Sequence, residues 1–512
     1  MNLFNKIMIN LRKYRFAVVS FLIISLTYFV SRIVSIMQLP IFTDEAIYTR
    51  WSQIAYNDAN WRFISLTDGK QPLFVWLQMA FMHFFDDPLF AGRLVSVLAG
   101  FGALVGVFFL TQLIFKNIKV SLFAAFLYLI YPFALIYDRL ALYESLLAMF
   151  FIWALYFQIL LVKKMRLDIA MILGFVLGGA VLTKSSGFLS IYMMPFLYLL
   201  LDFGKRAFKV NALKFTVFLV VSIILANAIY AILRLSPFFH IIEQKNSIFV
   251  YPVSEWLRFS LDIKIANFIS NLRGIFDWFV IYFSVPFILA MFFSFSVKSL
   301  YREKIILLLW FLLPVSALIL FGKTIYPRYL FFMTLPLLPL VAVGFLKLVE
   351  VVKSKIAIGF IIIAFFMYPI YTNYMILINF QDAPIPVLDR EQLINGWPAG
   401  GGVKESIEFF ENEARNKQII IATQGTFGLM PYSYEIYLNE NSNIEVRGYW
   451  PIEDNPPREL LDAEKDVYVV FYQPCPQCRY PGDAPDTWPI EKIREYRKGD
   501  GITTLGLYKF LQ

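Results

Sequence analysis

Two adjacent carboxylates, Asp44-Glu45 in PIFTDEAIYTRWSQ, follow the first apolar run of the chain by a few residues. A carboxylate at a membrane boundary can act as a general base toward a hydroxyl arriving from water. Equally, Thr43 or Asp44 can cap a helix whose dipole favours acids in its first turn. A second constellation, YDRLALYESLL, sets Asp138, Arg139 and Glu144 at the junction of two apolar runs. Three further cations stand beside apolar runs: Lys70 in DGKQPLFVW, Lys184 in VLTKSSG and Arg328 in KTIYPRYLFF. Singly, each reads as a lipid headgroup contact or an ion-pair partner, as Arg139 does with Asp138 or Glu144. Jointly, four cations can converge on one anion, and a membrane-surface phosphate suits Arg as a bidentate donor and Lys as a compact charge. Stabilising a phosphate leaving group and deprotonating an acceptor hydroxyl are what glycosyl transfer from a lipid phosphate requires.

The elements that must position these side chains are transmembrane helices. The chain is 59% hydrophobic and 18% aromatic with 16% charged residues, and its apolar residues come in blocks bounded by Lys and Arg. Blocks of roughly 18 to 25 residues match the helix length needed to cross a hydrocarbon core of about 30 Å. Spans are expected near 16–37, 89–115, 120–138, 142–162, 169–183, 187–203, 213–234, 277–297, 304–321, 329–349 and 356–379, about eleven in all. The first follows Lys6, Arg12, Lys13 and Arg15, exceeds a signal h-region and lacks a small-residue cleavage site, so it reads as a signal anchor. Pro72 to Phe85 is short for a span and fits a helix at the interface.

Charge sets the expected orientation. Residues 1–380 carry 33 basic and 16 acidic side chains, residues 381–512 carry 13 and 21. The basic excess recurs in short turns between apolar blocks, which is topology and excludes a nucleic-acid-binding face. By the positive-inside rule the N-terminus and the turns holding Lys116/Lys119, Lys163/Lys164/Arg166, Lys205/Arg206/Lys209, Lys298/Arg302/Lys304 and Lys347/Lys353/Lys355 are cytoplasmic. Asp44, Glu45, Lys70, Asp138, Glu144 and the longer loops 38–88 and 235–276 then face outward, as does the tail.

Past Phe380 hydropathy collapses. A Pro- and Gly-rich stretch, 381–402, reads as a connector, followed by a helix at 403–416, a strand at 419–423, a helix near 427–439, strands at 444–450 and 467–472, a helix near 490–498 and a closing strand at 503–510. Alternation of this kind predicts a small extracytoplasmic α/β domain, 381–512, behind a membrane domain, 1–380. The two cysteines, Cys475 and Cys478 in CPQC, stand in this tail with neither histidine, His83 or His240, so half a zinc site has no second half there. A disulfide or two free thiols suit the pair better, and no metal site is expected. Most of the aromatic load belongs to the lipid-facing surface and interfacial belt. Trp51 and Trp61 stand apart because they share the loop of Asp44.

The chain resembles the GT-C glycosyltransferases, in the branch of the protein O-mannosyltransferases and the lipid A aminoarabinose transferases. The resemblance rests on the order of DE at 44–45, DGKQPLFVWL at 68–77, AGRLVSVLAG at 91–100, RLALYESLL at 139–147, LTKSSG at 182–187 and PRYLFFMTLPLLPL at 327–340. It implies a polyprenyl- or dolichyl-phosphate monosaccharide donor, inverting transfer, Asp44 as base, and donor-phosphate contacts from Lys70, Lys184 and Arg328. Arg139 completes the cation set, and Glu45 and Glu144 complete the acidic one. Glu144 stands where that family more often has Asp, and KQP at 70–72 replaces a commoner KPP. Neither change removes a charge; the sugar and the acceptor stay open. No cofactor follows firmly, and room is left for a divalent cation.

The expected activity is transfer of a monosaccharide from a polyprenyl-phosphate donor to an extracytoplasmic protein, lipid or glycan by a multi-pass plasma-membrane protein. A transporter or flippase of lipid-linked sugars is the alternative, yet such proteins usually carry ionisable residues near mid-membrane on broken helices. A noncatalytic scaffold presenting the tail leaves the Asp44/Glu45 and cation pattern unexplained.

Overall fold

The computed structural model describes residues 3–202, 208–473 and 485–511; Lys205, Arg206, Cys475 and Cys478 lie outside them. The chain divides into two compact units. The first comprises Met1–Val34, Phe63–Phe74 and Leu94–Ile378, the second Ser35–Arg62, Val75–Arg93 and Asn379–Gln512.

The protein is a polytopic helical membrane protein. Among the described residues, seven helices are long and apolar enough to cross a bilayer: Arg15–Ile33, Pro88–Phe115, Tyr143–Lys164, Phe208–Leu235, Tyr301–Phe321, Pro327–Val351 and Lys355–Ile378. An eighth span is available if Leu261–Phe283 and Val285–Ser296, bent by 88°, count as one. Three other expected spans fall on shorter apolar helices, so a total of eleven does not follow from helix length alone. Ile118–Leu129 stops before Pro132, which lacks an N–H and opens the separate helix Pro132–Tyr137. Leu167–Thr183 is a single shorter helix, and Ser185–Leu200 breaks into short 3-10 and α pieces. Leu73–Met82, also apolar, has ten residues, too few to span.

The largest departure lies in 235–276, expected as a loop. Helices Ile241–Phe249 and Val253–Arg258 occupy it, and Leu261–Phe283 begins there, ahead of the span expected at 277–297. Asp262, Lys264 and Arg273 dilute the hydropathy of that helix without breaking it. It ends at Ser284, whose φ of +64° is followed by Pro286 in the first turn of the next helix, and the path bends there.

Small residues set the closest helix approaches in the first unit. Gly174 and Gly178, one turn apart on Leu167–Thr183, receive Leu225 and Ile229 of Phe208–Tyr230; a Cβ on either glycine would come within 2.8 Å of those side chains.

The second unit is built on a five-stranded sheet of β1 (Ile419–Gln424), β2 (Ile444–Tyr449), β3 (Asp466–Gln473), β4 (Ile490–Arg497) and β5 (Thr504–Phe510), ordered β2-β1-β3-β5-β4. β1 runs parallel to β2 and β3, while β5 is antiparallel to β3 and β4. β1 is buried along its length, as a strand covered on both faces must be. Ile420, Ala422, Val467, Val469 and Phe471 alternate onto one face, where Trp488, Tyr508 and Phe510 complete a core. On the other, Phe410 of helix Val403–Glu413 packs edge-on to Tyr468 and to Tyr434 of helix Leu429–Leu438.

The helix expected near 490–498 is instead β4. Its sequence, IEKIREYR, suits a helix locally, but antiparallel pairing with β5 prevails, and its charged side chains stay exposed as an edge strand requires. The stretch 381–402, expected as a connector, is ordered: Asp389, Leu393, Asn395 and Ala399 are buried, and Ala399 bridges Phe42.

Candidate active site

In the first unit, five separated segments bring their polar residues together. Helix Tyr143–Lys164 carries Glu144 in its first turn, where the helix dipole favours an acid. The Lys184 Nζ, just past the end of helix Leu167–Thr183, donates to Glu144 Oε1 at 2.9 Å, and Arg328 Nε lies 3.9 Å from the same oxygen. Lys184 also sits 4.7 Å from the Tyr329 ring centroid and Arg328 5.0 Å from that of Tyr326, so PRYL and its preceding tyrosine frame both cations. Gln71 Nε2 donates to Ser185 Oγ at 2.7 Å, which ties the turn of Lys70 to that of Lys184. In the first of these turns Asp68 accepts from Lys245 Nζ at 2.6 Å and lies 3.6 Å from Lys70 Nζ. Gly69 permits that turn: φ is +65°, and a Cβ would meet the Ile241 carbonyl at 2.6 Å.

Glu144 and Arg328 are buried, Lys70 and Lys184 half-buried. Two carboxylates, Glu144 and Asp68, among the four cations Lys70, Lys184, Lys245 and Arg328 leave positive charge in excess, which suits a phosphate more than it suits closed structural pairs. Arg139 is buried, and its Nη2 donates to the Val34 carbonyl at 3.2 Å.

Asp138 belongs to a separate buried network. Tyr28 donates to its Oδ2 at 3.0 Å, Tyr128 and Ser145 to its Oδ1 at 3.2 and 2.8 Å, and Arg32 Nε lies 3.7 Å away. Arg32, which gave no sequence signal beyond a cation inside an apolar run, also donates from Nη1 to the Leu129 carbonyl. The network braces the turn that leads from Asp138 to Glu144.

In the second unit Asp44 and Glu45 open the helix Thr43–Asn57. Asp44 is half-buried, whereas Glu45 is fully buried. Arg93 grips Glu45 bidentately, Nε to Oε1 at 2.9 Å and Nη2 to Oε2 at 2.8 Å, and spends its other donor groups on the carbonyls of Ile36, Leu39 and Pro40. Glu45 Oε2 also accepts from the Phe42 N–H at 3.0 Å. The cap expected from Thr43 or Asp44 is thus supplied three residues in, by Glu45 reaching back, with Phe42 at the cap position. The two neighbours differ in kind: the Glu45 carboxylate is fully buried on Arg93, whereas Asp44 is half-buried.

Arg93, Arg32 and Lys245 are the polar partners that sequence reasoning missed. Arg93 lies inside the quoted AGRLVSVLAG, where an Arg in an otherwise apolar run was the available signal. Of the tryptophans sharing that loop, Trp51 is buried and Trp61 exposed. His83 and His240 are near the surface, His83 beside Tyr56 and Phe84, His240 against the Pro237 carbonyl. Among the described residues no three His, Cys, Asp or Glu side chains converge as a metal-ligand set.

Residues 69–230 match a family model described as dolichyl-phosphate-mannose-protein mannosyltransferase. No curated protein matches the chain in sequence. In fold it is similar to ArnT from Cupriavidus metallidurans in the apo state, at 13% identity and a TM-score of 0.58, over 97% of this chain and 98% of that one. The same protein bound to undecaprenyl phosphate is similar at 12% identity and 0.55, over 96% and 98%. The Archaeoglobus fulgidus oligosaccharyltransferase in the apo form follows at 14% and 0.50, over 90% and 70%. At such identities the likeness to solved structures carries the fold.

Proposed function

We propose that this chain, a membrane glycosyltransferase of the GT-C fold, moves one monosaccharide from a polyprenyl-phosphate carrier to a hydroxyl of an extracytoplasmic acceptor, with inversion at the anomeric carbon. The observation that carries the reading is the gathering of Lys184 and Arg328 on Glu144, with Lys70 and Lys245 joined to it through the Gln71–Ser185 bond. Cations drawn from distant segments to the ends of apolar helices form a receptor for a lipid-borne phosphate. That ArnT is known with undecaprenyl phosphate bound supports this donor class.

In the reaction the acceptor oxygen attacks the anomeric carbon, the bond from that carbon to the phosphate oxygen breaks, and the electron pair stays on the phosphate. Lys70, Lys184 and Arg328 stabilise the charge that develops there. Asp44 takes the hydroxyl proton. The products are an inverted glycoside and polyprenyl phosphate. Glu144 holds Lys184 and Arg328 in place, Glu45 anchors the helix that bears Asp44, and Arg139, buried against Val34, acts by positioning. Residues 1–380 serve as the catalytic membrane domain and 381–512 as an extracytoplasmic domain, with the N-terminus cytoplasmic.

The test is reconstitution of the full chain into proteoliposomes with a radiolabelled polyprenyl-phosphate sugar. Appearance of label on a water-soluble or lipid acceptor, with release of polyprenyl phosphate, is the expected result. Movement of intact donor across the bilayer without cleavage of its sugar–phosphate bond would identify a flippase instead.

A further inference from the structure

Helix Thr43–Asn57 shows Asp44, Tyr48 and Trp51 at i, i+4 and i+7, one face of the helix. Two loops of the second unit attend that face. Pro398 accepts both the N–H and the Oγ1 hydroxyl of Thr43 at 2.9 Å, and the Gly400 N–H donates to Ile41 at 2.8 Å. Gly428 approaches so closely that a Cβ there would lie 3.3 Å from Thr43 Cγ2, and its φ is +108°. Phe427 lies 6.1 Å from Trp51, which in turn lies 5.9 Å from Tyr48. Arg50 to Glu435 at 2.7 Å and Gln53 to the Ile436 carbonyl at 2.9 Å fasten the helix further along.

Both loops thereby meet Thr43, the neighbour of Asp44 in sequence, and each carries an aromatic side chain that is about half exposed: Trp397 is 47% exposed, and Phe427, against Trp51 and Tyr432, 48%. Trp51 is buried against Phe427, and the open half of each outer ring is a flat apolar face on which a ligand can pack. The backbone beside them is already engaged, at Pro398, Gly400 and Gly425, whose N–H donates to Tyr449. An extended peptide therefore gains little from a ladder of main-chain bonds there, whereas a sugar needs flat apolar faces for its axial C–H groups and a carboxylate for its hydroxyls.

We propose that Trp397 and Phe427 form the platform that receives the acceptor beside Asp44, and that the acceptor presents a sugar ring to it. This rests on the assignment of Asp44 as base and names the acceptor class which that reading left open.

The experiment uses the full chain in proteoliposomes with the radiolabelled donor, offering methyl glycosides of mannose, glucose and N-acetylglucosamine and, separately, a Ser/Thr-containing peptide. Label passes to at least one saccharide. Trp397→Ala and Phe427→Ala raise the KM for that saccharide about ten- to a hundredfold, the size expected for an aromatic anchor, while the donor Kd measured directly stays at the parental value. Phe427→Tyr, which keeps the ring, returns the KM to within about threefold of the parent, a rescue that separates stacking from misfolding. Transfer to the peptide with none to saccharides overturns the proposal, as does a parental KM in both alanine variants. Donor cleavage by water in the parent without transfer to any saccharide also overturns it, but leaves the glycosyltransferase reading standing. Absence of any donor cleavage in the parent sinks that reading itself and, with it, this one.

Discussion

At the level of single residues the adjacent acids make the sharpest contrast. Asp44→Asn keeps shape and removes the proton acceptor, so donor binding and thermal stability should stay near parental while turnover falls by about two to four orders of magnitude. Glu45→Gln should do the reverse in emphasis. It leaves the guanidinium of Arg93, fully buried, without its counter-charge, a loss of about 3–5 kcal/mol that melting of the detergent-solubilised protein would register. A stable Asp44→Asn protein with near-parental transfer would move the base to another carboxylate. The cations should separate from both acids: Arg328→Ala or Lys70→Ala should weaken donor binding as well as turnover, and a variant that binds donor as tightly as the parent in a direct assay would return that residue to the role of headgroup anchor. Glu144→Gln keeps a hydrogen-bond acceptor for Lys184 but loses the charge shared with Arg328, so its effect should appear mainly in donor affinity.

Between elements, packing leaves little slack. Gly344 lies against the helix Val285–Phe293 so tightly that a Cβ would fall 1.7 Å from the Ala290 carbonyl oxygen. Gly344→Ala therefore forces those helices apart, and overpacking of this kind costs about 1–3 kcal/mol, to be read as a lowered melting temperature with no change in the chemistry of the site. The turn from β4 to β5 offers a pH test. Lys498 is buried, donates to the Gly396 carbonyl at 2.8 Å and lies 4.9 Å from the Tyr472 ring centroid. Burial lowers its pKa to about 7, against the attraction of Asp500. The folded state thus releases this proton near pH 7, whereas the unfolded chain holds it to about pH 10. Between those values the unfolded state binds more protons, so this residue makes folding more favourable as pH rises, by about 1.4 kcal/mol per unit. Protease resistance of the tail in the full chain should therefore increase from pH 7 to pH 9, and Lys498→Met should remove that gain; equal slopes in variant and parent would show that the residue is charged where it sits.

For the molecule as a whole the decisive measurement is topology. An odd number of crossings would put the two ends of the chain on opposite sides, and the positive-inside rule leads to the expectation that Met1 is cytoplasmic. Alkaline phosphatase fused after Gln512 should be active and a cytoplasmic reporter at the same place silent. The opposite pattern would turn the tail, and with it the acceptor platform around Trp397 and Phe427, to the wrong side. The shorter helices Ile118–Leu129, Leu167–Thr183 and Ser185–Leu200 are where reporters within the chain should be placed, because each one that fails to cross reverses every later loop.

What the sequence determined by itself is what short-range chemistry determines. Apolar blocks bounded by Lys and Arg are long enough to be read as spans one at a time, and the short, continuous runs of β-branched and aromatic residues in Ile419–Gln424 and Asp466–Gln473 identify strands without reference to partners. The candidate residues Asp44, Glu144, Lys184 and Arg328 stand out in the sequence because a charge beside an apolar run is costly wherever it occurs. Pairing was decided by the tertiary structure. That Glu45 is taken by Arg93, 48 positions away, and that Gln71 meets Ser185 across 114, depends on which helix ends become neighbours. The same holds for Arg32 with Asp138, whose charges are tolerated inside the unit only because Tyr28, Tyr128 and Ser145 close around them. In IEKIREYR local propensity and final structure disagree outright, since a strand at the edge of a sheet is stabilised by the ladder it joins and not by its own side chains. Hydropathy is summed along the chain, while the energy of a buried charge is set by whatever the fold brings beside it.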